Sequence, residues 1–461
     1  MIKIDTAMHI IETPSCAALD IEYVRSQFPA LAQTVNGHPA VFLDGPGGTQ
    51  VPRRVIDAIS NYLRHDNANT GGAYATSRNT DAMLDEARTA MADFFNCGAD
   101  EIIFGPNMTT LTYAMSRAIG RDLGAGDEIL VTRLDHDANV SPWLALQEKG
   151  CTVRWAEIHQ EDCTLDLDDL ASKINSKTKL VAVGYASNAV GTINPVKNIV
   201  RQAHAVGALA YVDAVHYGPH GLIDVAALGC DFLVCSTYKF FGPHMGVLFG
   251  KREHLARLQP YKVRPLTDAV PNRWEWGTLN HECIAGITAC VEYLADLGRH
   301  AAGDKNGSGG ANNESWGDSR LGCPPSEARP LHKSSRRAAI VSAFEALHHY
   351  ERGLMERLIA GLLKIPELKI YGITDPSRFA ERCPTLAVRV VNQTAEHTPL
   401  ALATKLGERG FFTWDGNYYA LNLTERLDVE KSGGFLRIGL AHYNTAEEVD
   451  QFLAALREIV G

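Results

Sequence analysis

Asp213 and Lys239 stand at the ends of two short apolar runs. The first run, Ala208 to Val212, stops at Asp213; the second, Phe232 to Cys235, stops at Ser236-Thr237-Tyr238-Lys239. Runs of this length read as buried parallel strands, and in α/β sheets ligands collect beyond the strands' carboxyl ends. An acid at one strand end and a lysine just past the next suit pyridoxal phosphate. The lysine forms a Schiff base with its aldehyde, and the acid pairs with its pyridinium nitrogen. Each residue alone has a plainer reading: a lysine past a strand is usually solvated, and an aspartate there often caps a helix. Lys239, however, is followed by Phe240-Phe241-Gly242 and preceded by three hydroxyl residues. A charged lysine amid apolar and small groups is costly unless it is used.

Other stretches carry weaker signals. Gly105-Pro106-Asn107-Met108-Thr109-Thr110 follows a short apolar run and opens a helical pattern. Hydroxyl residues at a helix start offer backbone N–H groups and side chains to an anion, or simply cap the helix. Both uses are compatible with a phosphate at that end. Asp135-His136-Asp137 ends another run. It has no partner cluster at metal-ligand spacing, so no metal is expected; an imidazole there can stack on an aromatic cofactor. Asn188, on a loop after the run ending near Val183, either touches a cofactor ring or serves a turn. His216 and His220 are four apart, but Gly218 and Pro219 between them argue against a helical metal pair. The glycines of Asp44-Gly45-Pro46-Gly47-Gly48-Thr49 permit either a plain turn or close approach to a ligand.

The elements that must position these groups form an α/β pattern. Strands are expected at Ala40–Leu43, Glu101–Phe104, Asp127–Thr132, Thr152–Glu157, Lys179–Val183, Ala208–Val212 and Phe232–Cys235. Helical patterns separate some of them, including about Asp81 to Phe95, Leu167 to Ile174 and Pro195 to His204. This alternation predicts a mainly parallel sheet with helices on both faces. A loose arm is expected over residues 1–19 and a large domain over 20–300, its first helix capped by Asp20 and stopped by Pro29. Residues 301–335 are rich in Gly, Asn and Ser and read as a solvated insertion, either a variable loop or a partner-binding segment. A smaller α/β domain over 336–461 follows. Its last helix carries a capping-box signature, Thr445-x-x-Glu448.

Composition excludes several classes. A net charge of -10 offers no basic footprint for nucleic acid. No apolar run is long enough to span a membrane, and the N-terminus lacks a signal-peptide core. Ten cysteines without C-x-x-C pairs suit free thiols and a cytoplasmic setting.

Taken together, these motifs resemble those of fold-type I pyridoxal-phosphate enzymes of aminotransferase class V, on the cysteine desulfurase and selenocysteine lyase branch. The resemblance runs from about Ile21 to Ile459, with 301–335 outside it. F-L-D-G-P-G-G-T-Q, F-G-P-N-M-T-T-L-T, W-D-G-N-Y-Y-A-L and R-I-G-L-A-H-Y-N-T are similar to a desulfurase-like subgroup of poorly defined substrates. It implies a large domain with a seven-stranded, mainly parallel sheet and a smaller C-terminal domain. It also implies an amino-acid substrate and a homodimer with composite sites. By resemblance, Lys239 is the Schiff-base lysine, Asp213 the partner of the pyridine nitrogen, and His136 in D-H-D-A-N the histidine stacked on the ring. Thr109, Thr110, Ser236 and Tyr238 fall in the phosphate-binding motifs, and Thr278 in W-G-T-L-N reaches the neighbouring subunit's phosphate. Asn188 lies near the ring hydroxyl and substrate. Arg437 holds the substrate α-carboxylate, where its planar fork suits bidentate contact.

Two departures bear on the reaction. His216 stands where glutamine is usual near the cofactor's phenolic oxygen. Desulfurases carry a nucleophilic cysteine on a loop before the substrate arginine, but Thr413-Trp414-Asp415-Gly416-Asn417-Tyr418-Tyr419-Ala420 contains none, and Cys383 lies nearest before it. Persulfide chemistry needs a thiolate at the substrate sulfur. The expected reaction is therefore a β-eliminating carbon–sulfur lyase without a persulfide cysteine. Class V aminotransferase or amino-acid epimerase chemistry is the alternative, and a non-catalytic relative of the fold the third. Tyr418 and Tyr419 either line the substrate pocket or pack.

Overall fold

The computed structural model describes residues 19–303 and 335–461. Almost all of the expected N-terminal arm and of the 301–335 insertion lies outside the described residues.

Seven strands form the main sheet: β1 (Ile102–Gly105), β2 (Glu128–Thr132), β3 (Thr152–Ala156), β4 (Thr178–Gly184), β5 (Leu209–Asp213), β6 (Phe232–Ser236) and β7 (Gly246–Gly250). Their spatial order is β1-β7-β6-β5-β4-β2-β3. From β6 through to β3 the pairing is parallel. Strand β7 runs antiparallel between β6 and β1. The expected strands are present within about two residues. Strand β7 was not expected. Its run G-V-L-F-G returns after only the nine residues between Ser236 and Gly246, too few for a parallel crossover, so the strand must run back antiparallel. That connection carries Lys239.

Helices cover the sheet for reasons visible in their sequences. Helix α1 (Ile21–Ser26) is capped by Asp20, which accepts from the Tyr23 N–H at 3.0 Å. Helix α2 (Arg53–His65) escaped the sequence reading because it buries little beyond Val55 and Tyr62. Helix α3 (Ala75–Phe95) begins six residues before the expected Asp81; its polar first turns hold Ser77 and Thr80 buried through hydrogen bonds to Asn69, Thr76 and neighbouring carbonyls. Helix α4 (Met108–Ile119) is capped by Asn107, whose Oδ1 accepts from the Thr110 N–H at 2.8 Å. Its buried Leu111, Met115 and Ile119 share a core with Ile129, Val131, Tyr211 and Phe232. Each such side chain contributes about 1.5–3 kcal/mol through burial. This packing is what aims the N-terminus of α4 at the sheet's carboxyl edge.

A second sheet has four antiparallel strands, β8 (Leu368–Tyr371), β9 (Thr385–Val390), β10 (Trp414–Gly416) and β11 (Phe435–Gly439), in the order β8-β9-β11-β10. Strand β10 is three residues long and was not expected. The long helix over Ser335–Leu362 and the last helix over Ala446–Val460 supply its core, and Thr445 and Glu448 form the expected capping box. The two cores meet along the chain between residues 40 and 43. Val41 and Leu43 enter the small sheet's core while Ala40 and Phe42 enter the larger one, as the two-residue period of an extended segment requires. Val41–Phe42 pairs in parallel with Phe411–Phe412. Helix α1 adds a further tie, since Arg25 donates to the Tyr443 carbonyl and pairs with Glu448 at 2.8 Å.

Candidate active site

The carboxyl ends of β2, β4, β5 and β6, the N-terminus of α4 and the turn at Pro46 enclose one cavity. It is lined by Thr109, His136, Asn188, Asp213, His216, Ser236, Tyr238 and Lys239 among the expected site residues. The main sheet and its loops thus bring together eight of the positions singled out in the sequence.

Lys239 is half-buried, with Nζ donating to the Pro46 carbonyl at 2.5 Å and lying 4.8 Å from the centre of the Tyr238 ring. Burial and then the Arg437 charge lower its pKa to about 7, against the pull of Asp213 and Asp44. Asp213 is also buried; its Oδ1 accepts from the Val215 N–H at 2.9 Å. Burial raises its pKa to about 6, opposed by that hydrogen bond and by Lys239. His136 Nδ1 accepts from the Ala138 N–H at 3.0 Å. Burial and the charges of Lys239 and Arg437 lower its pKa to about 4, so it presents a neutral ring. Burial pushes His216 well below the usual histidine range, and its Nε2 has no partner.

At the other end of the cavity, Ser236 Oγ accepts from the Met108 N–H at 3.1 Å, joining β6 to the start of α4. Thr109 faces the cavity there. Thr110 is exposed instead and donates its N–H and hydroxyl to Asn107 Oδ1, so it caps the helix outside the cavity lining. Thr278 is exposed and lies in a separate depression with Asn69, Thr70 and Glu275. A single chain does not bring it to Lys239.

Arg437 enters from β11. Its Nη1 donates to the Asn188 carbonyl at 2.9 Å, its Nε is buried without a partner, and its guanidinium lies 4.0 Å from the centre of the Tyr418 ring. Among the described residues no carboxylate forms an ion pair with it, and burial lowers its pKa to about 10. Tyr418 packs under this cation rather than lining the cavity, its hydroxyl donating to the carbonyls of Trp414 (2.9 Å) and Phe435. Tyr419 is exposed, and its ring stacks on His136 at 5.4 Å. The loop is tied down by Asn188 Nδ2 donating to the Tyr418 carbonyl at 2.9 Å, while Asn188 Oδ1 has no partner.

The sequence reading missed a second acid. Asp135 is buried beside Asp213; its Oδ1 accepts from the Gly184 N–H and its Oδ2 has no partner. Burial and the Asp213 charge push its carboxyl well above the carboxylate range. A Cβ on Gly184 would sit 2.5 Å from Asp135 Oδ1, so glycine is required for this approach. The signal was the first acid of D-H-D, read only as a metal candidate. Among the described residues, no group of three His, Cys, Asp or Glu side chains is placed to hold a metal.

A family model described as aminotransferase class-V matches residues 41–308 and 339–452. The chain belongs to the aminotransferase class-V family. A cysteine desulfurase of Serratia proteamaculans is 33% identical over 95% of this chain and 98% of its own length. An aminotransferase-like protein of Gibberella zeae is 30% identical over 97% of this chain and 100% of its own. Among solved structures, a cysteine desulfurase from Thermococcus onnurineus superposes with a TM-score of 0.78 at 24% identity, covering 95% of this chain and 98% of that one, which establishes the common fold. As a class-V member of the cysteine desulfurase-like kind, the chain is a pyridoxal-phosphate-dependent enzyme. The site fits that cofactor on its own evidence. A buried acid and a half-buried lysine line a cavity with unpaired polar atoms on Asn188 and His216, and a helix N-terminus borders it.

The perturbed lysine makes a prediction about the cofactor-free protein. Lys239 holds its proton up to about 7 when folded, against 10.5 ordinarily, so the unfolded chain binds more protons between those values. Stability must then rise with pH across that window; below it both states are charged and the cost of burying the ammonium is fully present. The melting temperature of cofactor-free protein is expected to climb from pH 7 upward more steeply than that of Lys239→Met. Parallel curves for the two proteins would refute the assignment.

Proposed function

We propose that this class-V enzyme is a β-eliminating carbon–sulfur lyase acting on a cysteine derivative without a persulfide cysteine. The observation that carries this reading is the loop that sets Tyr418 against Arg437 and Tyr419 against His136, which holds no thiol. The described thiols support it further. Burial raises all eight, Cys163 and Cys230 to about 12 and Cys383 higher still, whereas a sulfur nucleophile needs a lowered pKa. The remaining two, Cys16 and Cys323, lie outside the described residues.

In this reading Asp213 pairs with the cofactor's ring nitrogen, the neutral His136 stacks on the ring, and Ser236 with the α4 N-terminus takes the phosphate. Bound there, pyridoxal phosphate supplies an electron sink conjugated to the substrate's Cα. Arg437 pairs with the α-carboxylate and sets the Cα–H bond toward Lys239. Lys239, with its pKa near neutrality, removes that proton as its amine. The carbon–sulfur electron pair leaves with sulfur, which takes a proton, and water hydrolyses the three-carbon remainder to pyruvate and ammonium. In this reading the protein is a homodimer in which Thr278, exposed and apart from its own Lys239, reaches a partner subunit's phosphate. Residues 20–300 act as the cofactor-binding unit and 336–461 as the smaller one.

The test mixes loaded enzyme with cysteine, S-substituted cysteines, cysteine sulfoxides and a general amino-acid panel. Thiol or sulfide released in equal amounts with pyruvate is the expected result. A keto acid retaining the whole side chain would replace this reading with aminotransferase chemistry, which the name of the Gibberella zeae relative favours. Inverted stereochemistry alone would mean an epimerase.

A further inference from the structure

We infer that Trp414 and Tyr419 form an aromatic clamp at the cavity mouth that selects an amino acid whose sulfur carries an aromatic or other planar substituent. This rests on the lyase reading only for the sulfur; the clamp itself follows from geometry.

Two large rings are exposed beside the groups that hold the reacting end of the substrate. Trp414 is 50% exposed and Tyr419 is 72% exposed, although both belong to well-anchored segments. Trp414 is the cross-strand partner of Arg437, and its ring packs so closely on Gly47 that a Cβ there would lie 2.5 Å from it. The same added Cβ would lie 3.5 Å from Arg437 Nη2, and the adjacent Pro46 carbonyl accepts from Lys239. Trp414 therefore borders both the carboxylate anchor and the lysine. Tyr419 borders the cavity through its stack on the lining residue His136.

The backbone indicates that these rings are held in place by construction. Tyr418 and Tyr419 have φ of 55° and 60°, a consecutive left-handed pair that side-chain-bearing residues rarely adopt. Glycine would relieve the strain. The Tyr418 carbonyl accepts from Asn188 and the Tyr419 carbonyl accepts from the Asp137 N–H at 2.7 Å, which fixes the turn. Tyr418 spends its hydroxyl and ring on Trp414, Phe435 and Arg437. Tyr419 meets His136 and Trp414 meets Gly47 on one side only, and the rest of each ring is exposed to a ligand. A substituent leading out of the cavity from the substrate's Cβ meets them, and planar groups gain from offset or edge contacts with such rings.

The experiment measures binding of S-benzyl-L-cysteine and S-methyl-L-cysteine to holoenzyme by stopped-flow absorbance, before turnover. The wild type is expected to bind the benzyl compound about tenfold more tightly. Tyr419→Ala and Trp414→Ala are each expected to shrink that ratio by about threefold or more, and Tyr419→Phe to retain it. A wild-type ratio within about twofold of unity, or one unaltered in both alanine variants, would overturn the clamp. The lyase reading fails separately: enzyme that binds the benzyl compound selectively yet releases no thiol keeps the clamp and loses the lyase.

Discussion

Lys239→Ala holoenzyme is expected to lose turnover by about 10³-fold or more, whatever the final product. In the proposed mechanism the same nitrogen anchors the cofactor and moves the Cα proton, so no neighbour replaces it. The other titratable groups of the cavity are neutral or acidic: burial holds His136 unprotonated, and Asp213 is a carboxyl. The measurement is single-turnover kinetics with the best substrate from the panel, paired with the absorbance of the cofactor. Added methylamine is expected to restore part of the rate, because the missing function is a free amine near neutrality. Full turnover in the alanine variant would sink the mechanism.

Arg437→Met is expected to lower kcat/KM by about 10²-fold, mostly through KM. Arg437 is a buried cation with no carboxylate partner among the described residues, and its Nε is unpaired. Such a charge is costly to the fold until a ligand supplies the counter-charge. Methionine keeps much of the length and contact with Tyr418 while removing the charge. The variant's melting temperature should therefore match or exceed that of the wild type in the absence of substrate. A decarboxylated analogue, the thioether of cysteamine, should bind both proteins alike. A large loss of stability with unchanged KM would make Arg437 a structural residue instead.

Much of the fold was legible because the main sheet is local in its logic. Strands such as Leu209–Asp213 and Phe232–Ser236 are buried on both faces and so read as continuous apolar runs. The elements that escaped lack such a signature. Helix α2 interleaves Val55, Ile56, Ile59, Tyr62 and Leu63 with polar residues and buries only Val55 and Tyr62, and the three residues of Trp414–Gly416 are too few to show a period. Helix caps and anion sites share residue types, so the sequence alone does not show that Thr110 gives its N–H and hydroxyl to Asn107.

By itself, the sequence determined that an acid and a lysine emerge at neighbouring strand ends. A buried parallel strand announces its own termination, and Asp213 and Lys239 follow two such terminations. It also determined that the loop before Arg437 holds no cysteine. Tertiary structure decided the rest, because the contacts join residues that no local pattern relates. Only the folded chain sets Asp135 beside Asp213 through Gly184, lays Tyr418 under Arg437, and brings Tyr419 across 283 positions to the ring of His136. The pKa shifts belong to the same level, since desolvation is the leading cause at Lys239, Asp213 and His136 and burial is a property of the assembled core.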